Sequence, residues 1–385
     1  MKTLIKNGTI HPVTSPSFVG DILVEDGKIV GVEPGIQVKA DTLIEASGLH
    51  VFPGLVEEHC HIGIHGEKTN QVSDNDVNEW SDPVTPQLLA MDGVKPFDEG
   101  FRYAISAGVT TLNIFPGSAN PIGGFGVTLK NDLDVPYQER VLLERSGMKM
   151  AMGENPKKTH QESKKIMTRM GTAAVIRKAF SDAIAYRKKK DEKGFDPKNE
   201  ALLQVLDGEF KAHVHAHRAD DMLTILRIRD EFGFQLSFEH ATESHLIADL
   251  LAEKGVELAV GPMFTARYKI EVNNRTLRTP GILEKAGISD ISLITDDPVI
   301  PILNLPIQAG LAMHHGLSGD LALRAITINP ARNLGLADRI GSIEKGKDGD
   351  LLVCDRDVLD PTHRLLFTLV NGKVAFDSSK QELVL

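Results

Sequence analysis

The sequence predicts an α/β fold: a (β/α)8, TIM-like barrel with a small β-sandwich domain formed from both chain termini. Two observations lead there. Eight β-rich apolar runs alternate with helical stretches through the middle of the chain, the pattern of a parallel sheet wound with helices. Short alternating strands separated by Asp-Gly and Asn-Gly turns fill the two ends. The boundaries that follow are 1–52 and 331–385 for the split β domain and 53–330 for the barrel.

Taken in order, Thr3-Leu4-Ile5 runs into a predicted turn at Asn7-Gly8, and Asp21–Val24 and Lys28–Val32 flank a hairpin turn at Asp26-Gly27. The barrel strands are then Val51–Glu58, Val109–Phe115, Gly126–Lys130, Lys149–Gly153, Lys211–His215, Gln235–Glu239, Glu257–Val260 and Ile291–Thr295. Several are near-continuous apolar runs, as strands buried on both faces require. Helical patterns such as Ala219–Glu231, Glu243–Lys254 and Leu321–Ile328 separate them. The segment Thr159–Asn199 is helical and strongly charged, and its run Arg187–Lys193 reads as a solvated helix end. Leu351–Cys354, Leu365–Val370 and Lys373–Phe376 close the β domain. A doubly wound open sheet is the alternative architecture. No Gly-x-Gly-x-x-Gly follows the first strand, so a dinucleotide fold has no positive support.

The 385 residues are 41% hydrophobic and 25% charged, the composition of a globular protein with a sizeable core. A net charge of −10 argues against nucleic-acid binding, which needs a basic face. Two distant cysteines, Cys60 and Cys354, give no disulfide framework and suit a reducing compartment. The first residues are too polar for a signal peptide, and no apolar run reaches the roughly 20 residues of a membrane span. The expectation is a cytoplasmic protein acting on a small molecule, with no nucleic-acid or membrane partner and with a homo-oligomer open to it.

The strongest chemical signal is His59-Cys60-His61 at the end of an apolar run. Residues two apart in a strand point the same way, so both imidazoles reach one ion while Cys60 turns into the packing. Glu154, His215, His240 and Asp296 stand at the ends of later predicted strands, where barrel enzymes collect their catalytic groups. This mixture of nitrogen and oxygen donors suits a divalent metal, Zn²⁺ first. His213, His215 and His217 alternate along one strand, so geometry alone does not choose a ligand among them. The Gly-rich stretch Gly117–Gly126 lacks the ending of a phosphate loop and reads as backbone running close to the metal or substrate.

Phe52-Pro53-Gly54-Leu55-Val56-Glu57-Glu58-His59-Cys60-His61 resembles the PGL-x-D-x-HxH motif of the amidohydrolase superfamily. Ala325–Arg332 followed by Gly341–Leu351 resembles its C-terminal signature, and the likeness spans essentially the whole chain. Within the superfamily the chain is most similar to the imidazolonepropionase-related amidohydrolases. The resemblance implies His59 and His61 as first-strand ligands and His215 and His240 as ligands after strands five and six. It implies Asp296 as both ligand and proton acceptor. Many members place a carboxylated lysine on strand four. Here Gly153-Glu154-Asn155-Pro156 occupies that strand end, which makes Glu154 the expected bridge, ahead of Lys149 and Lys157. His217, Arg218, Arg267 and Tyr268 become candidate substrate contacts.

Six ligands are enough for two metal ions. The implied reaction is hydrolysis of a C–N bond in a cyclic amide, an N-acyl amino acid or a dipeptide, with water activated by the metal and Asp296 as general acid/base. Deamination at a single metal is the rival reaction, for which Glu243 is a poor acid/base candidate. A non-catalytic metal-binding barrel is the reading from another class, and an aspartate at the strand-eight position speaks against it.

Overall fold

A computed structural model describes residues 1–66, 75–190, 194–266 and 269–380. At the N-terminus, β1 (Lys2–Ile10), β2 (Phe18–Glu25) and β3 (Lys28–Glu33) form an antiparallel meander, followed by the short β4 (Thr42–Glu45) and β5 (His50–Pro53). The expected turn at Asn7-Gly8 is instead a bulge inside β1. Asn7 takes a left-handed φ of 59° while its N–H is held by the Asp21 carboxylate at 2.8 Å. The bulge lets one strand serve two neighbours: the first half of β1 pairs with β4 and the second half with β5, both parallel.

The barrel strands are β6 (Leu55–Cys60), β7 (Val109–Ile114), β8 (Ile122–Phe125), β9 (Val127–Lys130), the peripheral β10 (Val141–Leu143), β11 (Met148–Ala151), β12 (Ala212–Ala216), β13 (Leu236–His240), β14 (Glu257–Val260) and β15 (Ile291–Leu293). β6 pairs with β7, and β11 through β15 pair in succession, all parallel. The third position departs from the expected parallel strand. β8 and β9 are one strand bent at Gly126, antiparallel both to β7 and to β11. A parallel return needs a crossover of about a dozen residues or more, and residues 115–121 carry no helix. The wall closes where Asp296 N–H donates to the His59 carbonyl at 3.2 Å and His61 N–H to the Asp297 carbonyl at 2.8 Å.

Helices at Ala219–Phe232, Ala248–Lys254 and Gly319–Arg324 stand close to their expected places. Among the described residues the charged segment contains the helices Arg169–Arg187 and Pro197–Leu206, capped by Thr168 and Asp196. Its cations behave as a solvated face: Arg187 pairs with Asp207 and Lys190 with Glu200 near the surface.

After the barrel, β16 (Leu351–Cys354), β17 (Leu365–Val370) and β18 (Lys373–Asp377) join β5. The strands from both termini thus form one continuous eight-stranded sheet around its own small core of Ile5, Ile22, Val51, Leu351 and Leu369, consistent with the expected β-sandwich domain. Where this domain meets the barrel, Lys130 at the end of β9 is buried between Asp348 and Asp350. Those aspartates belong to the C-terminal signature, which therefore does structural work. Among the described residues no helix is long and apolar enough to cross a membrane.

Candidate metal centre

The centre forms at the C-terminal ends of the parallel strands. His59 lies near the end of β6 and His61 just beyond it, both buried. Each ring is fixed through Nδ1: His59 bonds Glu239 Oε2 at 2.8 Å and His61 bonds the Phe115 carbonyl at 2.7 Å. A carbonyl only accepts, so the proton of His61 sits on Nδ1 and its Nε2 keeps a lone pair. Asp296 Oδ1 lies 3.2 Å from His61 Nε2 and 3.5 Å from His59 Nε2. Cys60 turns away as expected, buried with its thiol 3.6 Å from the Asn113 carbonyl.

β12 and β13 supply the other side. His240 donates from Nδ1 to the Gly261 carbonyl at 2.9 Å, and His217 Nδ1 bonds Thr242 Oγ1 at 2.8 Å. His215 has neither nitrogen hydrogen-bonded, and His240 Nε2 is likewise unpartnered although buried. The rings are contiguous, with centroids 4.4 Å apart for His215 and His240 and 5.2 Å for His59 and His240. His240 (φ 69°), Ala241 (φ 44°) and Asp296 (φ 55°) all hold left-handed backbone that non-glycine residues rarely adopt. Such strain persists where surrounding structure enforces it, often at functional sites.

Electrostatics agree with a ligand set. Burial pushes His59 and His217 down to about 4 and holds His215 and His240 well below the usual imidazole value, so all four are neutral near pH 7. Burial would raise Asp296, but His240, His61 and His59 outweigh it and keep the carboxyl ionised, well below its ordinary range. Neutral imidazoles with buried, unsatisfied nitrogens around an anionic carboxylate fit a divalent cation.

The structure therefore brings together His59, His61, His215, His240 and Asp296, with His217 beside them. It does not bring Glu154. Gly153 (φ 86°) turns the chain off β11, and Glu154 opens the helix Glu154–His160 half-buried, its N–H bonded to Glu271 Oε2 at 2.9 Å. Lys149, ranked lower on sequence, takes the inner position: it is fully buried on β11 with Nζ 2.9 Å from His59 Nε2. Burial lowers its amine to about 8, against the pull of Asp296 and Glu239. Lys157 lies in the last turn of the Glu154 helix. Arg218 is engaged by Asp220 at 2.8 and 2.9 Å. Arg267 and Tyr268 lie outside the described residues. In the Gly-rich stretch, side chains at Gly117 and Gly124 would strike Asn78 and the Leu88 carbonyl, so these glycines allow close packing.

Two buried carboxylates were missed. Glu239 bridges His59 and His213, accepting from both Nδ1 atoms at 2.8 Å. An acidic residue inside an apolar strand, directly before His240, was its signal. Glu271 lies in a short turn after strand seven, 1% exposed, with Oε1 3.8 Å from Nε2 of both His215 and His217. No local pattern announces it.

Residues 50–382 match the amidohydrolase family. The chain is 30% identical to amidohydrolase tasK of Hapsidospora irregularis across 97% of its own length, although it spans only 43% of that protein. It is 24% identical to a 5-methylthioadenosine/S-adenosylhomocysteine deaminase of Desulforudis audaxviator, over 96% of this chain and 89% of the relative. Among solved structures, an amidohydrolase from Thermotoga maritima MSB8 superposes with a TM-score of 0.93 at 41% identity, covering 97% of this chain and all (100%) of that one. The chain belongs to the amidohydrolase family, whose members are hydrolases acting on C–N bonds.

Proposed function

We propose that this protein is a metal-dependent hydrolase that cleaves the C–N bond of a small linear or cyclic amide or a dipeptide, with Asp296 as general acid/base. The convergence of His59 Nε2 and His61 Nε2 on the Asp296 carboxylate carries the reading. Divalent ions there, Zn²⁺ first and two per chain, would polarise the scissile carbonyl and lower the pKa of water from about 15.7 to roughly 7. Around them, this chain's residues have separate tasks. His59 and His61 present their Nε2 lone pairs, oriented through Glu239 and the Phe115 carbonyl. His215 and His240 offer nitrogens on the opposite side. Asp296, kept ionised, accepts the proton of water and returns it to the leaving nitrogen.

Lys149 replaces Glu154 as the proposed fourth-strand ligand. Its lowered amine exposes a neutral fraction near pH 7 that can add CO₂, forming an N–C bond and releasing one proton to give a carbamate. A cyclic substrate of the imidazolone type belongs to the proposed range, and the free, buried Cys60 and Cys354 suit the cytoplasm.

Deamination is the second reading, favoured by the deaminase relative and by the extra buried carboxylate, Glu271. Glu243 does not serve it, being bonded to Ala219 N–H and Asn274 Nδ2. One experiment tests both readings. Metal content and turnover on a panel of amides, cyclic amides, dipeptides and amino-heterocycles are measured for wild type, Asp296→Asn, Lys149→Ala and Glu154→Ala. Asp296→Asn should retain metal yet lose roughly 10²–10⁴ in kcat, Lys149→Ala should lose metal, and Glu154→Ala should keep both. Ammonia release without carbonyl hydrolysis would favour deamination, and a metal-free wild type under metal-replete conditions would end the proposal.

A further inference from the structure

The metal-hydrolase reading gives Glu271 no task, yet its carboxylate is buried, fixed in place and turned toward the centre. It interlocks with the turn after β11: Oε2 accepts the Glu154 N–H at 2.9 Å, while the Glu271 N–H donates to Glu154 Oε1 at 3.2 Å. A Cβ at Gly153 would stand 2.5 Å from Oε2, so the glycine leaves the carboxylate its place. Oε1 faces the histidines, 3.8 Å from Nε2 of both His215 and His217, and is buried with no hydrogen-bond partner. Native interiors rarely leave such an acceptor unsatisfied. An ionised carboxylate only accepts, so what completes the oxygen is a donor.

We propose that Glu271 Oε1 is a specificity contact for the substrate, accepting a neutral N–H on the nitrogen next to the scissile carbonyl. The proposal rests on the metal-hydrolase reading and narrows its substrate to amides, lactams and imides that carry a hydrogen on that nitrogen. Amides whose nitrogen is fully substituted are selected against. The charge around the carboxylate decides between a neutral donor and an ammonium. Lys269 Nζ lies 3.7 Å from Oε1 and Arg169 Nη2 lies 3.8 Å from Oε2. Both are beyond hydrogen-bond length but close enough to answer the negative charge. A third cation there would meet repulsion, whereas a neutral N–H satisfies the oxygen without adding charge. His217 Nε2 lines the same gap, its ring fixed by Thr242 Oγ1 at 2.8 Å. Such a contact discriminates by rejection, because a substrate without the hydrogen leaves the buried oxygen unpaired.

The test uses two metal-directed probes that differ by one methyl group, acetohydroxamate and N-methylacetohydroxamate. Both chelate zinc through their oxygens, and only the first has an N–H. Their affinities are measured by calorimetric titration of zinc-loaded full-length protein, for wild type, Glu271→Gln and Glu271→Asp. In Glu271→Gln the Glu154 N–H claims the amide oxygen, so the amide NH₂ stands where Oε1 stood, at nearly unchanged volume. Wild type is expected to bind acetohydroxamate at least about tenfold tighter than the N-methyl probe. Glu271→Gln should cut that ratio to about threefold or less by weakening acetohydroxamate, with the N-methyl probe held within about twofold. A wild type without the preference overturns the proposal. So does a Glu271→Gln variant that keeps it, since the methyl group is then rejected by shape alone. Elemental analysis and far-UV circular dichroism show whether each variant holds zinc and its fold. If Glu271→Gln does not, Glu271→Asp decides by the same ratio, its carboxylate being withdrawn by one methylene. Loss of zinc or fold in both variants overturns the proposal, because a substrate contact leaves them in place. A wild type that holds no zinc, or whose zinc binds neither probe, ends the metal-hydrolase reading itself, a result distinct from failure of this contact.

Discussion

At the scale of single residues, the centre is a set of neutral imidazoles maintained by burial, and that has a consequence for stability. His59 and His217 titrate near 4 in the folded protein and near 6.5 once unfolded. Between those values the unfolded chain binds more protons, so the stability of the metal-free protein rises with pH. It is fully present above about 6.5 and is lost as pH falls toward 4. Asp296 works in a different window. Its depressed carboxyl contributes stability that is lost only below its ordinary value of 3.8. The prediction is a urea midpoint for stripped protein that falls steadily from pH 6.5 to 4, with His217→Asn flattening the slope by about one proton. A slope unchanged in that variant would mean that His217 does not titrate as a buried neutral ring.

At the scale of elements, the end of β14 decides how His240 is aimed. Gly261 supplies the carbonyl that His240 Nδ1 bonds, while its φ of +149° and an Ile294 carbonyl 2.1 Å from any added Cβ exclude a side chain. Gly261→Ala should therefore push β14 and β15 apart and turn His240. Zinc affinity is expected to drop about 10–100-fold, the usual cost of losing a partner that orients a metal ligand. Equilibrium dialysis checks this, and unchanged affinity would remove Gly261 from the support of the site. The sequence showed much of this neighbourhood and missed specific parts. His59, His61, His215, His240 and Asp296 were legible because each sits where an apolar run ends. Lys149 is less legible because depth along a strand follows from where the strand ends, and β11 ends at Ala151, two residues before the expected Gly153. Glu271 was invisible because its loop returns to the centre through tertiary packing alone.

At the scale of the whole molecule, eight strand positions and a β domain drawn from both termini were legible, since buried strands and hairpin turns mark themselves in apolar runs and Asp-Gly pairs. The direction of β8 and β9 was not, because an apolar run has the same composition whichever way it points. Nor did the sequence show that Asp348 and Asp350 join the two lobes through Lys130, a contact made across 218 residues for Asp348. Asp348 has other cations, Lys28 and Arg339, within reach. Among the described residues Asp350 pairs with Lys130 alone, and burial raises its carboxyl despite that lysine. Lys130→Ala should then leave Asp350 buried without its counter-charge, which costs about 3–5 kcal/mol when a buried pair is broken. Urea unfolding followed by circular dichroism reads the loss, and adding Asp350→Asn to Lys130→Ala should recover part of it by removing the stranded charge. If the single variant is as stable as wild type, water reaches the interface and the cluster does not hold the lobes together. If it is destabilised and the double variant recovers nothing, the lysine acts through its packing along β9 rather than through its charge.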